Sequence, residues 1–90
     1  MKSHTTPEFR QLLAALPAAI RRQAREAYRV FRTNPRHPGL NFKRVHTSQR
    51  TVSARVGINY RAVGTLKAND EVVWFWIGPH DEYVRLLKGL

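Results

Sequence analysis

Apolar residues at Phe9, Leu12, Leu13 and Leu16 recur at i, i+3, i+4 and i+7, the spacing that lines one face of an α-helix. Thr6, Pro7 and Glu8 precede them and supply an N-cap hydroxyl, a first-turn proline and an early acidic group. The pattern predicts an amphipathic helix of about ten residues. Pro17 ends that helix and fits the first turn of another. In this second segment Ile20, Ala24, Ala27 and Phe31 form an apolar stripe, widened by Tyr28, while Arg22, Arg25, Arg29 and Arg32 take the other side. Two amphipathic helices joined so closely predict an antiparallel helix hairpin. Residues 34–39 hold two prolines and a glycine and read as a loop.

Beyond residue 41 the period falls from 3.6 toward 2. Phe42 to His46 reads as a short strand and Thr47 to Arg50 as a polar turn. Thr51–Val56 and Tyr60–Ala68 read as two strands joined by Gly57, Ile58 and Asn59, a loop in which Gly or Asn supplies positive φ. Asn69 and Asp70 make the next turn. Glu71 to Ile77 is apolar on both faces, the mark of a covered central strand, with Trp74 and Trp76 both read as core. Gly78 and Pro79 are expected to stop it. Asp81 and Glu82 then open a short C-terminal helix with Val84, Leu86 and Leu87 apolar, and Lys2 to Thr5 is a candidate edge strand. The expected fold is α+β: one domain over residues 1–90, with an N-terminal two-helix hairpin packed on one face of a small antiparallel sheet of about four strands.

That hairpin carries a charge problem. If Val56 pairs with Tyr60, Arg55 stands directly opposite Arg61 on the same face. Facing like charges destabilise a hairpin by a fraction of a kcal/mol, so the pair is expected to hold an anion, phosphate first. A slip of one residue would send the two arginines to opposite faces.

Composition sharpens this. The 90 residues carry 16 Lys+Arg against 6 Asp+Glu, a formal net charge of +10, and 12 of the cations are arginine. Arginine's planar donor fork suits bidentate contact with phosphate or carboxylate, so nucleic acid or an acidic protein is the expected partner. Cysteine is absent, which removes disulfides and thiolate chemistry. His4, His37, His46 and His80 are scattered without metal-ligand spacing, so no metal is expected. No Gly-x-Ser-x-Gly and no phosphate-cradling glycine loop occur, so no cofactor is expected either. No apolar run approaches the ~20 residues of a membrane span, and the first residues lack a secretory leader's apolar stretch. A cytoplasmic protein without membrane contact is the simplest reading.

What remains is a basic sheet with a histidine and a tyrosine at its end. Metal-free RNA cleavage needs a base for the 2′-hydroxyl proton, an acid for the leaving 5′-oxygen, and cations for the charge on phosphorus. His80, just past a central strand, is of the residue type that titrates near neutrality. Tyr83 shares its helix face and offers a proton or a stacking ring. Arg55 and Arg61 would hold the phosphate, with Lys43 and Arg44 on the preceding strand as further nucleic-acid-binding cations. Plainer readings stand beside each: His80 as a terminator, Tyr83 as a core aromatic, and the arginines paired with Asp70 or Glu71. The arginine stripe of the second helix is most simply a solvated face, or else a dock for an acidic partner or ribosomal RNA.

In its ordered set of residues the chain resembles the RelE/ParE family of toxins from bacterial type II toxin–antitoxin systems. The likeness runs from Phe9 to Leu16-Pro17, through Asn34-Pro35, Leu40 and Phe42-Lys43, to Ser53-Ala54-Arg55-Val56-Gly57 with Tyr60-Arg61-Ala62. It ends in Val73, Ile77-Gly78-Pro79-His80 and Tyr83. The resemblance implies a two-helix hairpin on a small antiparallel sheet. It also implies a co-encoded acidic antitoxin that wraps the basic surface, with the complex often repressing its own operator DNA. RelE-like members cleave mRNA on the ribosome, whereas ParE-like members inhibit DNA gyrase without cutting RNA, and a degenerate member would do neither. By position Arg55 and Arg61 match the family's phosphate-binding arginines. Lys43 matches an active-site basic residue, and Tyr83 falls near the terminal tyrosine. Many relatives carry His-Arg where this chain has His80-Asp81, and an acidic group there repels phosphate.

Overall fold

The computed structural model describes residues 1–45 and 50–89. Strand β1 (Lys2–Thr5) leads into helix α1 (Pro7–Ala14), where the Thr6 hydroxyl accepts from the Phe9 backbone N–H at 3.1 Å, the expected cap. Pro17 caps helix α2 (Ala18–Thr33). A single 3₁₀ turn over Pro38–Leu40 ends in Asn41 at φ 45°, a left-handed conformation that asparagine tolerates. Then come β2 (Lys43–Arg44), β3 (Thr51–Val56), β4 (Tyr60–Leu66), β5 (Glu71–Pro79) and helix α3 (His80–Lys88). His46 and the expected turn at 47–49 lie outside the described residues, so of the anticipated strand from Phe42 to His46 only Lys43–Arg44 is described as strand.

The sheet has five strands in the order β1-β5-β4-β3-β2. The anticipated four antiparallel strands are joined by β1, which pairs with β5 in parallel. One face of the sheet carries Val52, Ala54, Val56, Ala62, Trp74 and Ile77, which form the main core with Phe9, Ala24 and Phe31 of the helix hairpin and with Leu40. Trp74 meets Phe31 edge-on at 5.5 Å between ring centroids, and Phe31 meets Phe42 at 5.0 Å, an arrangement that the ring quadrupoles favour.

Three expectations give way. The first is that Gly78 and Pro79 stop β5. The strand runs on through both, with Pro79 opposite Tyr60. Strand β1 ends its pairing at Trp74, so β5 has no neighbour on that side at Pro79, and the missing N–H interrupts no ladder. The second is the picture of helices on one sheet face, which holds for α1 and α2. Helix α3 instead lies against the other face, where the Tyr83 hydroxyl donates to Ser53 Oγ at 3.1 Å.

The third is that both tryptophans belong to the same core. Val63 pairs with Trp76 and Gly64 with Trp74, so two consecutive residues of β4 face three of β5. Phe75 is the additional residue of a β-bulge. The bulge inverts the alternation, and Trp76 emerges on the α3 face while Trp74 and Ile77 stay on the helix-hairpin face.

Candidate functional site

The β3–β4 hairpin forms in the expected register, with Val56 opposite Tyr60 and Arg55 opposite Arg61. Gly57 takes φ 63° at the turn, and the Gln23 side-chain amide fills the space that a Cβ there would need. A side chain at residue 57 would meet both backbone strain and that amide. The turn therefore lies against the Gln23 side chain of α2.

Arg55 is exposed and Arg61 half-buried. The Arg61 guanidinium donates to the carbonyls of Ile58 at 3.2 Å and Tyr60 at 2.8 Å. Among the described residues neither arginine meets a carboxylate. Glu71, a proposed partner, is held by His4 Nε2 at 2.5 Å. Two cations thus face each other with no internal counter-ion, an arrangement that destabilises the free hairpin and attracts an anion.

Residues directly opposite in an antiparallel ladder share a face, which sorts the other candidates. Lys43, opposite Ser53, shares the face of Arg55 and Arg61, whereas Arg44, opposite Val52, stands on the helix-hairpin face. His80 is the first residue of α3 and exposed, and its backbone N–H donates to the Asn59 carbonyl at 2.7 Å, tying the helix start to the hairpin turn. The His80 and Tyr83 rings lie 5.9 Å apart. Tyr83 itself is 7 % exposed, and its proton is directed at Ser53, which is 2 % exposed. Asp81 and Glu82 sit in the first turn of α3, where the helix dipole favours acidic groups.

The tip of the hairpin therefore gathers Arg55, Arg61 and His80, with Tyr83 packed beneath and Lys43 at the sheet edge. Arg44 is not part of the gathering. Sequence reasoning missed two residues of this face, Ser53 and Trp76. Ser53 stood as a small polar residue in a strand otherwise read for its arginine. The apolar run reads Trp76 as core rather than as a stacking platform, because a bulge inside a uniformly apolar run does not disturb the hydrophobic pattern. Among the described residues no three His, Asp or Glu side chains gather as a metal site.

A family model for the ParE-like toxin domain matches residues 18–85, which hold α2, the whole hairpin, β5 and most of α3. The chain belongs to the RelE/ParE family of toxins. No curated protein matches its sequence. Among solved structures it resembles the RelB–RelE antitoxin–toxin complex of Methanococcus jannaschii, with TM-score 0.71 and 16% identity over 91% of this chain and 95% of that one. The archaeal RelE–RelB complex of Pyrococcus horikoshii OT3 gives 0.69 and 17%, over 88% and 93%. YafQ of E. coli strain BL21(DE3) gives 0.68 and 11%, over 91% and 96%. At these identities the likeness is one of fold: helices on a five-stranded, mostly antiparallel sheet with a C-terminal helix.

This RelE/ParE domain also has an apolar recess, away from the arginine face. A cavity of about 450 Å³ lies between the helix hairpin and the sheet, lined by Phe9, Leu13, Ala54, Trp74 and Ile77, with Arg25 and Arg32 also bordering it. The Trp74 indole N–H is buried without a hydrogen-bond partner among the described residues. The molecule thus offers a cationic face and, behind it, an apolar recess bordered by arginines.

Proposed function

We propose that this chain is the toxin of a type II toxin–antitoxin pair and acts as a ribosome-dependent mRNA interferase. The observation that carries the reading is the Arg55–Arg61 pair, without a carboxylate partner among the described residues, at the hairpin tip where the His80 backbone is tied to Asn59. The scissile phosphate would lie between the two guanidiniums, which stabilise the charge gathering on its oxygens. A base takes the 2′-hydroxyl proton and the 2′-oxygen bonds to phosphorus. The bond to the 5′-oxygen breaks as an acid protonates it, leaving a cyclic phosphate and a 5′-hydroxyl. His80, exposed at the tip, takes one of the two proton-transfer roles. Tyr83 donates to Ser53 as it stands, so it serves the leaving oxygen only after α3 shifts and that contact opens.

The expected partners are the ribosome with its mRNA, and an acidic, co-encoded antitoxin. The antitoxin neutralises the cationic surface, and the pair together occupies operator DNA. The M. jannaschii and P. horikoshii structures contain RelB beside RelE, which supports such a partner here. A second reading, a gyrase-inhibiting toxin without nuclease chemistry, draws on Asp81 and Glu82 beside His80 and on the engaged Tyr83 hydroxyl.

Expression from a tightly controlled promoter, followed by mapping of mRNA 5′ ends, separates the readings. New ends within coding sequence, lost with Arg61→Ala and reduced with His80→Ala, are the expected outcome. DNA damage response with translation intact would move the assignment to gyrase. Normal growth on induction would mark a non-toxic family member.

A further inference from the structure

We infer that Trp76 is a stacking platform for a nucleobase of single-stranded RNA whose phosphate is held by Arg55 and Arg61. The inference rests on the nucleic-acid reading of that face and adds a residue to it. The Phe75 bulge places Trp76 on the arginine face, apart from the aromatic cluster built on Trp74.

The indole's position follows from Gly78. A Cβ built on Gly78 would stand 2.7 Å from Trp76 Cζ2 and 2.8 Å from Cη2, so the six-membered ring lies over the glycine backbone. Gly78 is the cross-strand partner of Arg61, which in turn faces Arg55. Neighbouring strands are about 4.8 Å apart, so Arg55, Arg61 and the indole stand in a row of roughly one strand spacing each. A phosphate between the arginines would leave its base within reach of the ring.

Trp76 keeps part of its surface in solvent, while Val63, its partner across the ladder, is fully buried. A core tryptophan would be sealed as Trp74 is, at 4 % exposure. The absence of a side chain at residue 78 is what lets the ring lie down toward Arg61 rather than stand off the sheet. Any larger residue there would displace it.

Fluorescence titration with a short single-stranded ribo-oligonucleotide, and with an abasic strand of equal length, tests the assignment. Wild-type emission is expected to be quenched by the RNA and not by the abasic strand, and Trp76→Phe is expected to abolish the quench while leaving Trp74 emission. Removing one stacked base weakens binding about 5- to 150-fold, so Trp76→Ala should lose that factor on RNA and nothing on the abasic strand. Trp76→Phe should recover part of it, which distinguishes stacking from misfolding, and Gly78→Ala should mimic Trp76→Ala. If Trp76→Ala binds RNA as tightly as wild type while Arg61→Ala does not, the platform is overturned and the arginine site stands. If wild type binds neither strand, both ideas fall.

Discussion

Arg61 shows how much one residue's meaning depends on its opposite number. Alone it is a strand residue with two backbone acceptors; opposite Arg55 it becomes half of a facing cationic pair, the proposed phosphate holder. Tyr83 shifts in the other direction. As a sequence position it offers a catalytic hydroxyl, yet in the fold that hydroxyl is bonded to Ser53 beneath α3. A buried hydrogen bond contributes about 1 kcal/mol, and its loss with one partner left unpaired costs about 1–3 kcal/mol. Tyr83→Phe and Ser53→Ala are each expected to lower unfolding stability by about 1–2 kcal/mol. The double variant should lose less than the sum, because the two share one interaction. Urea denaturation checks this, and a Tyr83→Phe protein as stable as wild type would show the bond to be absent in solution. Neither the Ser53 contact nor the orientation of α3 was legible in the sequence, since both depend on which sheet face the last helix crosses.

At the scale of elements, the local signals were strong and the long-range ones weak. The Thr6 cap, the proline at the start of α1 and the Gly57 turn are each decided within a few residues and lie where the pattern put them, while α1 already ends at Ala14 and Pro17 stands as the N-cap of α2. Strand β5 is where local reading failed. Its run of Val, Trp, Phe and Ile is apolar at every position, so periodicity carries no information about face. The ladder decides, and it does so through Gly64. A Cβ on Gly64 would stand 2.9 Å from Trp74 Cε3, from Val72 Cγ1 and from the Val73 carbonyl. The glycine thus admits Trp74 against the β4 backbone at the bulge. Gly64→Ala is expected to destabilise the fold by about 1–3 kcal/mol through overpacking, readable as a lower denaturant midpoint. It should also weaken RNA binding if the bulge slips and Trp76 leaves the arginine face. An unchanged midpoint would mean that β5 accommodates the methyl group without shifting.

For the whole molecule, two cationic surfaces with different surroundings contribute to the net charge of +10. The Arg55–Arg61 face also carries Ser53, Val63 and Trp76 and ends at the hairpin tip, where Ile58 is 84 % exposed. The α2 surface carries Arg22, Arg25, Arg29 and Arg32 beside an apolar recess, and Arg29 is partly committed to Glu26 at 2.6 Å. That hydrogen bond and its charge raise the Arg29 pKa further. These surfaces should respond differently to salt. For single strands the logarithm of affinity falls by about 0.7 per neutralised phosphate for each tenfold rise in salt. Combined Arg55→Ala and Arg61→Ala, which removes the holder of one phosphate, should flatten that dependence by about 0.7, whereas Arg22→Ala with Arg25→Ala should leave it unchanged. Binding of single-stranded RNA across a potassium chloride series provides the measurement. An equal flattening from the α2 pair would place the nucleic acid on the helix hairpin instead. Among the described residues no helix is long and apolar enough to cross a membrane.

The sequence by itself determined the elements, the turn and the Arg55–Arg61 register, because caps, breakers and period-2 alternation act over a few neighbouring residues. It also carried enough of the family's ordered motif to name the fold. Only the tertiary structure decided that β1 joins β5 in parallel, that α3 crosses the arginine face, that Tyr83 is tied to Ser53 and that Trp76 lies beside Arg61. Those outcomes depend on pairings between residues far apart in the chain and on one additional residue in a strand. Hydrophobic pattern is blind to both, since it records which side chains leave water and not which neighbours receive them.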